Sequence, residues 1–285
     1  MILATLRFLH ILCFRFIGRI FFYLFRKRRK IAIENVKKCY PFIFKGEKYS
    51  EAKVRKIVKK SFINLGHTLG DFLFLKWYTK NNIDNYVTFK NRDYFEQALS
   101  KGDGLILSAA HFGGWELSAH VLALKGFESL VLYNRFKRPS WLDRVVKKQR
   151  ERSGNRLILK QNSFLSIYKW LKKGGVVALL TDQHAIPPEG EKMRLLGVDA
   201  WVHTSFIKMS IKTGALIVPA FMHVKGNYRY EIEFFKPIDP RDFVDCENQA
   251  LAMARECFKA LEESIIKSPH LWMWQHRRFK NLKAR

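Results

Sequence analysis

Large apolar side chains fill most of the first 25 positions, and the run is broken by Arg7, His10, Arg15 and Arg19. At ~100° per residue, Arg7, Arg15, Arg19 and Arg26 fall within roughly a third of a helix circumference. The pattern predicts an amphipathic helix from Met1 to Phe25 with a wide apolar face. A basic block follows at once, Arg26-Lys27-Arg28-Arg29-Lys30. Such a helix lies in a membrane interface, or spans it with its arginines snorkelling or packed against protein. No small-residue cleavage site follows, which argues against a removable signal peptide. The basic block favours anionic headgroups on the cytoplasmic side. The competing reading is a buried core helix, and the arginines argue against it.

The pattern continues in helical period. Ile31 to Cys39 predicts a helix stopped near Tyr40-Pro41, and Ser50 opens another, with Val54, Ile57, Val58, Phe62 and Leu65 on one face. From Tyr86 the pattern changes to short apolar runs alternating with helical segments. Strands are expected at Tyr86–Phe89, Leu105–Ala110, Leu130–Tyr133, Leu157–Leu159, Val176–Thr181, Ala215–Val218 and Tyr228–Phe235. Helices are expected at Tyr94–Leu99, after Gly114, and at Ser140–Arg152, Ser163–Lys172, Thr204–Thr213 and Asn248–Ile266. Strands alternating with helices indicate an α/β fold, a largely parallel mixed sheet flanked by helices. The alternation in Tyr230-Glu-Ile-Glu-Phe234 predicts a half-exposed antiparallel strand. The division is residues 1–30 as a membrane-anchoring helix with its basic flank and 31–285 as one domain.

Charge changes the picture. The 285 residues carry 52 Lys and Arg against 25 Asp and Glu, a net charge of +27. A bias of this size favours an anionic partner: a nucleic acid, an acidic membrane, an acidic protein or a phosphorylated substrate. The 24 Phe and seven Trp suit a membrane interface as well as a nucleic-acid groove. No paired Cys/His ligands and no aromatic RNA-binding motif occur, which argues against nucleic acid. Cys13, Cys39, Cys246 and Cys257 form no CxxC, so neither a disulfide scaffold nor a metal site is expected.

Chemistry concentrates in Gly104-Leu-Ile-Leu-Ser-Ala-Ala-His111-Phe-Gly-Gly-Trp-Glu116. An apolar strand ends at His111, two glycines turn the chain, and Glu116 falls in the first turn of a helix. A carboxylate bonded to one imidazole nitrogen fixes the tautomer and makes the other nitrogen a better base. Such a pair can take a proton from a hydroxyl attacking an acyl carbon. The alternative is a structural His and a Glu placed by the helix dipole. No Gly-x-Ser-x-Gly elbow occurs.

These residues, His111-Phe-Gly-Gly-Trp-Glu116, resemble the His-x4-acid acyltransferases, above all the bacterial lipid A late acyltransferases. The likeness extends through Tyr133-Asn-Arg135, Leu142-Asp143, Arg150-Glu-Arg152, the strand from Lys173 to Asp182, Thr213 to Pro219, and the tail Ser268 to Lys280. The loop Gln183 to Arg194 departs from the family's usual wording. The resemblance implies a glycerolipid acyltransferase-like fold at the bacterial inner membrane, with the catalytic domain on the cytoplasmic side. It implies acyl-acyl carrier protein as donor and a hydroxyl of a Kdo-bearing lipid A precursor, a phosphorylated glycolipid, as acceptor. No cofactor is implied. His111 would be the general base and Glu116 would orient it, with direct transfer and no acyl-enzyme. Arg135, Arg150 and Arg152 are candidates for holding substrate phosphates, since guanidinium forks match phosphate oxygens. Their alternative is a solvated basic helix face. Asp143 would orient one of these arginines or be a helix surface charge. Asp182 ends a strand where α/β sites gather, or is structural. Trp272 and Trp274 are expected to be packing or interface residues. The same chemistry on a lysophospholipid or another glycolipid is an alternative acceptor reading, and a non-catalytic basic protein is a remote one.

Overall fold

The computed structural model describes residues 2–135, 139–161, 163–226 and 229–280. Helix α1 (Ile2–Leu24) is followed by α2 (Arg26–Ile43) after a 90° bend. The basic block, expected as a flank of the first helix, therefore opens α2. α2 also passes the expected stop at Pro41. The ring removes one helical hydrogen bond, yet Phe44 N–H donates to Tyr40 O at 2.9 Å and closes the last turn. No single described helix is long and apolar enough to cross a membrane; only the bent pair α1–α2 reaches that length.

α3 (Glu51–Leu73) starts as its sequence predicts, with the Ser50 side chain accepting from Lys53 N–H at 3.2 Å. α1 packs antiparallel along it, and two glycines set the distance. A Cβ on Gly66 would stand 2.2 Å from Phe14 O, and one on Gly18 would stand 2.5 Å from Phe62 O. A buried polar network closes the far end. Arg7, on the expected polar face of α1, is buried; its Nη2 donates to Tyr78 Oη at 3.2 Å and its guanidinium lies 4.1 Å from the Tyr86 ring. Tyr78 and Tyr230 each donate to one oxygen of Asp71, at 2.7 and 2.6 Å. Of the alternatives for the arginines, Arg7 takes packing against protein. The opposite side of α1 is an exposed apolar stripe that includes Phe8, Leu12, Phe16, Ile20 and Leu24.

The seven-stranded sheet uses β1 (Val87–Lys90), β2 (Leu105–Ala109), β3 (Ser129–Tyr133), β4 (Arg156–Leu159), β5 (Val176–Leu180), β8 (Leu216–Val224) and β9 (Tyr230–Phe234), in the order β1-β9-β8-β2-β5-β3-β4. All neighbours are parallel except β8 and β9. Helices α4 (Arg92–Ser100), α5 (Trp115–Leu124) and α6 (Ser140–Glu151) cover one face, burying Leu105, Leu107 and Val218. Helices α7 (Phe164–Leu171), α8 (Ser205–Thr213) and α9 (Gln249–Lys267), with α2 and the tail, cover the other over Ile106, Val177 and Ile217. This is the expected helix-flanked mixed sheet.

Two expectations need correction. β9 is antiparallel to β8 but not half-exposed: Glu233 is buried, held by Lys90, by Lys267 at 3.3 Å and by His223 at 3.0 Å. Its alternation reflects paired charge rather than solvent. Tyr228, where that strand was expected to begin, lies outside the described residues. The second is a hairpin, β6 (Gly190–Leu195) and β7 (Val198–His203), in a stretch without a strand expectation. Charged residues interrupt its apolar alternation, which hides the period of two.

Replacing Gly66 with Val is expected to lower stability by about 1–3 kcal/mol, the usual cost of overpacking. Thermal unfolding checks this, and an unchanged midpoint would show that α1 does not depend on that contact.

Candidate active site

β2 and β5 are adjacent parallel strands in register, Ala109 opposite Leu180, and both exit at their carboxyl edge. Thr181 N–H donates to Ala109 O at 2.9 Å, extending the ladder one residue past β5. The pairing delivers His111 and Asp182 side by side at the edge where open α/β sheets bind ligands. From β2 the chain turns one way to β3 and β4 before β5 returns between β2 and β3.

The corner after β2 is held from three sides. Gly113 takes φ +57°, and a Cβ there would stand 1.7 Å from Met222 O of β8, so no side chain fits. Its N–H donates to Leu271 O at 2.9 Å, and its carbonyl accepts from Thr68 Oγ1 at 2.9 Å and Asn64 Nδ2 at 3.2 Å. Met273 N–H donates to His111 O at 3.0 Å. Strand β8, helix α3 and the tail thus fix the backbone that carries His111.

The imidazole makes two hydrogen bonds. Its Nδ1 lies 2.8 Å from Asp182 Oδ1, and its Nε2 lies 3.2 Å from Gln183 Nε2. The Gln183 amide nitrogen can only donate, so Nε2 accepts and Nδ1–H donates to the carboxylate. Asp182 is buried, and its second oxygen accepts from Trp272 Nε1 at 2.8 Å. Burial alone would push this carboxyl up, but the neighbouring His111 and the hydrogen bonds hold it down at about 2. Burial likewise pulls the imidazole down. The Asp182 charge and hydrogen bond, with a smaller push from Glu116, outweigh it and leave His111 above its ordinary pKa.

Glu116 is placed differently from the expectation. It forms a bidentate pair with Arg150, Nη2 to Oε1 at 2.6 Å and Nε to Oε2 at 3.1 Å. It therefore acts on His111 through its charge, while Asp182 holds Nδ1. The other candidates separate. Asp143 is buried 3.6 Å from Arg135 Nε, and the Arg135 side chain is 70% exposed. Arg152 is exposed and donates to Gln149 Oε1 at 3.2 Å, away from the imidazole. His111, Glu116, Arg150 and Asp182 form one cluster; Arg135 with Asp143, and Arg152, lie outside it. Gln183 and Trp272 join this cluster without having been expected there from the sequence. An amide and an indole do not titrate near neutral pH, so neither carries a chemical signal in the sequence.

His111 opens onto a groove of about 600 Å³. Its walls combine apolar Ile106, Phe164, Ile167 and Met209 with polar Arg150 and Gln183. A second cavity of about 90 Å³ lies on the other sheet face, under α5, among Leu107, Leu122 and Ala178. Arg150 lines both. Grooves of several hundred Å³ with apolar walls and a few convergent polar groups suit ligands with apolar bodies.

Residues 2–281 match the family model described as bacterial lipid A biosynthesis acyltransferase. The chain belongs to this family. The acyltransferase is 24% identical over 257 residues to the lipid A biosynthesis palmitoleoyltransferase of Escherichia coli, covering 90% of this chain and 79% of that one. It is 25% identical over 266 residues to the lipid A biosynthesis lauroyltransferase of the same organism, covering 93% and 83%. The solved 1-acyl-sn-glycerophosphate acyltransferase of Thermotoga maritima aligns over 91% of this chain and 97% of that one, at 14% identity and a TM-score of 0.39.

The imidazole must be neutral to take a proton, so kcat/KM should fall as pH drops through the His111 pKa, which lies above its ordinary value of 6.5. Asp182→Asn removes the charge that raises it. The acid limb is expected to move to lower pH while the maximum drops ~100-fold or more. A pH–rate profile tests both, and an unmoved limb would detach Asp182 from the imidazole. Glu116→Ala is expected to lower turnover more than about tenfold by freeing Arg150 beside the base; full activity in a folded variant would count against that role.

Proposed function

We propose that the acyltransferase moves a fatty acyl chain from acyl-acyl carrier protein to a hydroxyl of a Kdo-bearing lipid A precursor. The observation that carries the chemistry is the Asp182–His111–Gln183 line of hydrogen bonds, which leaves Nε2 as the acceptor nitrogen at the groove. His111 Nε2 takes the acceptor hydroxyl proton as that oxygen attacks the thioester carbonyl. Asp182 stabilises the imidazolium formed. The tetrahedral intermediate collapses, the carbon–sulfur bond breaks, and the Nε2 proton passes to the departing thiolate. No acyl-enzyme forms, and every step uses a group of this chain or of the two substrates. Gln183 has to yield its bond to Nε2 when the hydroxyl arrives, which is a side-chain rotation.

Arg150, fixed by Glu116, serves the phosphorylated acceptor at the groove, with Arg135 and Arg152 offering further charge on the approach. The exposed stripe of α1 lies in the inner membrane interface and keeps the groove on the cytoplasmic side, where the carrier protein is. The net charge of +27 suits all three anionic partners.

Detergent-purified protein offered a panel of acyl-acyl carrier proteins, with the Kdo-bearing precursor and a lysophospholipid together, tests this. Mass spectrometry is expected to show one added acyl chain on the precursor, absent with His111→Ala. Acylation of the lysophospholipid alone would keep the His111 chemistry and overturn the acceptor.

A further inference from the structure

A basic cleft lies apart from the groove, between α2 and α3 just past the bend that follows α1. It encloses about 360 Å³ and is lined by Arg26, Arg29, Lys30, Lys37 and Arg55 against one carboxylate, Glu34. With Glu34 in the lining and Glu51 at the edge beside Lys37 and Arg55, five cations still outnumber the carboxylates and favour an added anion. Among the described residues, Arg26, Lys30 and Arg55 form no salt bridge, and Lys37 shares the exposed Glu51 with Tyr49 at the cleft's edge. Arg29 is fixed: its Nη1 donates to Phe22 O at 2.8 Å and Tyr23 O at 3.3 Å, tying α1's last carbonyls to α2.

Two independent features give the ligand its class. α2 opens on an all-basic run with no acidic residue in its first turn and no side-chain cap. Cations are disfavoured at that end of a helix, and anions are favoured there. Tyr23, Leu24 and Phe25, directly before this turn, are 59%, 65% and 45% exposed. The cleft therefore begins where the apolar stripe ends, at the depth of headgroup phosphates if the stripe lies in lipid.

We propose that this cleft binds the phosphate of an anionic lipid headgroup, with a phosphomonoester preferred for its second negative charge. Arg26 and Arg55 bring guanidinium forks suited to phosphate oxygens. Lys30 and Lys37 supply compact charge. This rests on α1 lying in the membrane interface, and it adds a lipid site distinct from the groove at His111.

The test uses the full chain and co-sedimentation with vesicles. These are phosphatidylcholine alone, phosphatidylcholine with phosphatidic acid, and phosphatidylcholine with phosphatidylserine at matched surface potential. Wild-type protein is expected to bind neutral vesicles and to prefer phosphatidic acid over phosphatidylserine. Arg26→Gln/Arg55→Gln should lose about tenfold in affinity for phosphatidic-acid vesicles and keep neutral binding and its thermal midpoint. Lys27→Gln/Lys56→Gln removes the same charge from the same two helices outside the cleft, and should change affinity by less than about twofold. Equal losses in the two variants would show diffuse attraction and overturn the site. Wild-type protein that binds neutral vesicles without preferring phosphatidic acid would overturn it while leaving α1 in place. A protein that ignores every vesicle would overturn both readings. Stabilisation by inorganic phosphate, without a difference between the two variants on vesicles, would assign the cleft to a free anion instead of a lipid.

Discussion

A carboxylate shut away from water needs its charge answered on both oxygens, and Asp182 meets that need with His111 on one side and Trp272 on the other. Much of the architecture follows from keeping those three groups in line. Adjacent parallel strands set the His111–Asp182 separation through backbone register, which is stiffer than any loop. The tail brings the indole. Because the carboxylate stays ionised, Nδ1 keeps its proton and Nε2 keeps its lone pair. The fold itself thus selects the imidazole tautomer.

Glu116 and Arg150 form a second charged unit beside the first. A bidentate pair in a partly buried place holds Arg150 at the meeting of two cavities on opposite faces of the sheet. Its positive charge opposes protonation of His111, while Glu116 favours it. The two charges of the pair thus oppose each other at the imidazole, and Asp182 has the larger influence on it. An arginine held in this way can shift toward an incoming anion without leaving a bare carboxylate, since Glu116 is still partly hydrated.

The periodicities carried the sheet and its flanking helices because burial on two faces leaves a plain apolar record along each strand. They also carried Ser50 as a cap and His111 at a strand end. They failed where tertiary pairing overrides local pattern. Glu233 looks like a solvent-facing residue, yet two lysines and a histidine hold it inside. Pro41 looks like a stop, yet the helix continues for part of a turn. The His-x4-Glu spacing placed both residues near the site but assigned the imidazole's partner to the nearer acid in sequence. Asp182, 71 positions from His111, becomes the partner only through strand register. Trp272 reads as bulk in a sequence, since nothing about an indole reveals that its N–H meets a buried carboxylate.

The clamp made by residues 271 to 273 on the His111 corner sets an order of assembly. These residues are translated after every strand of the sheet. A nascent chain can therefore form its parallel strands while the corner around Gly113 still lacks one wall and Asp182 lacks its indole. The line from Trp272 through Asp182 to His111 is complete only when the tail docks. Completion of the site therefore depends on the C-terminal segment as much as on the strands that carry His111 and Asp182.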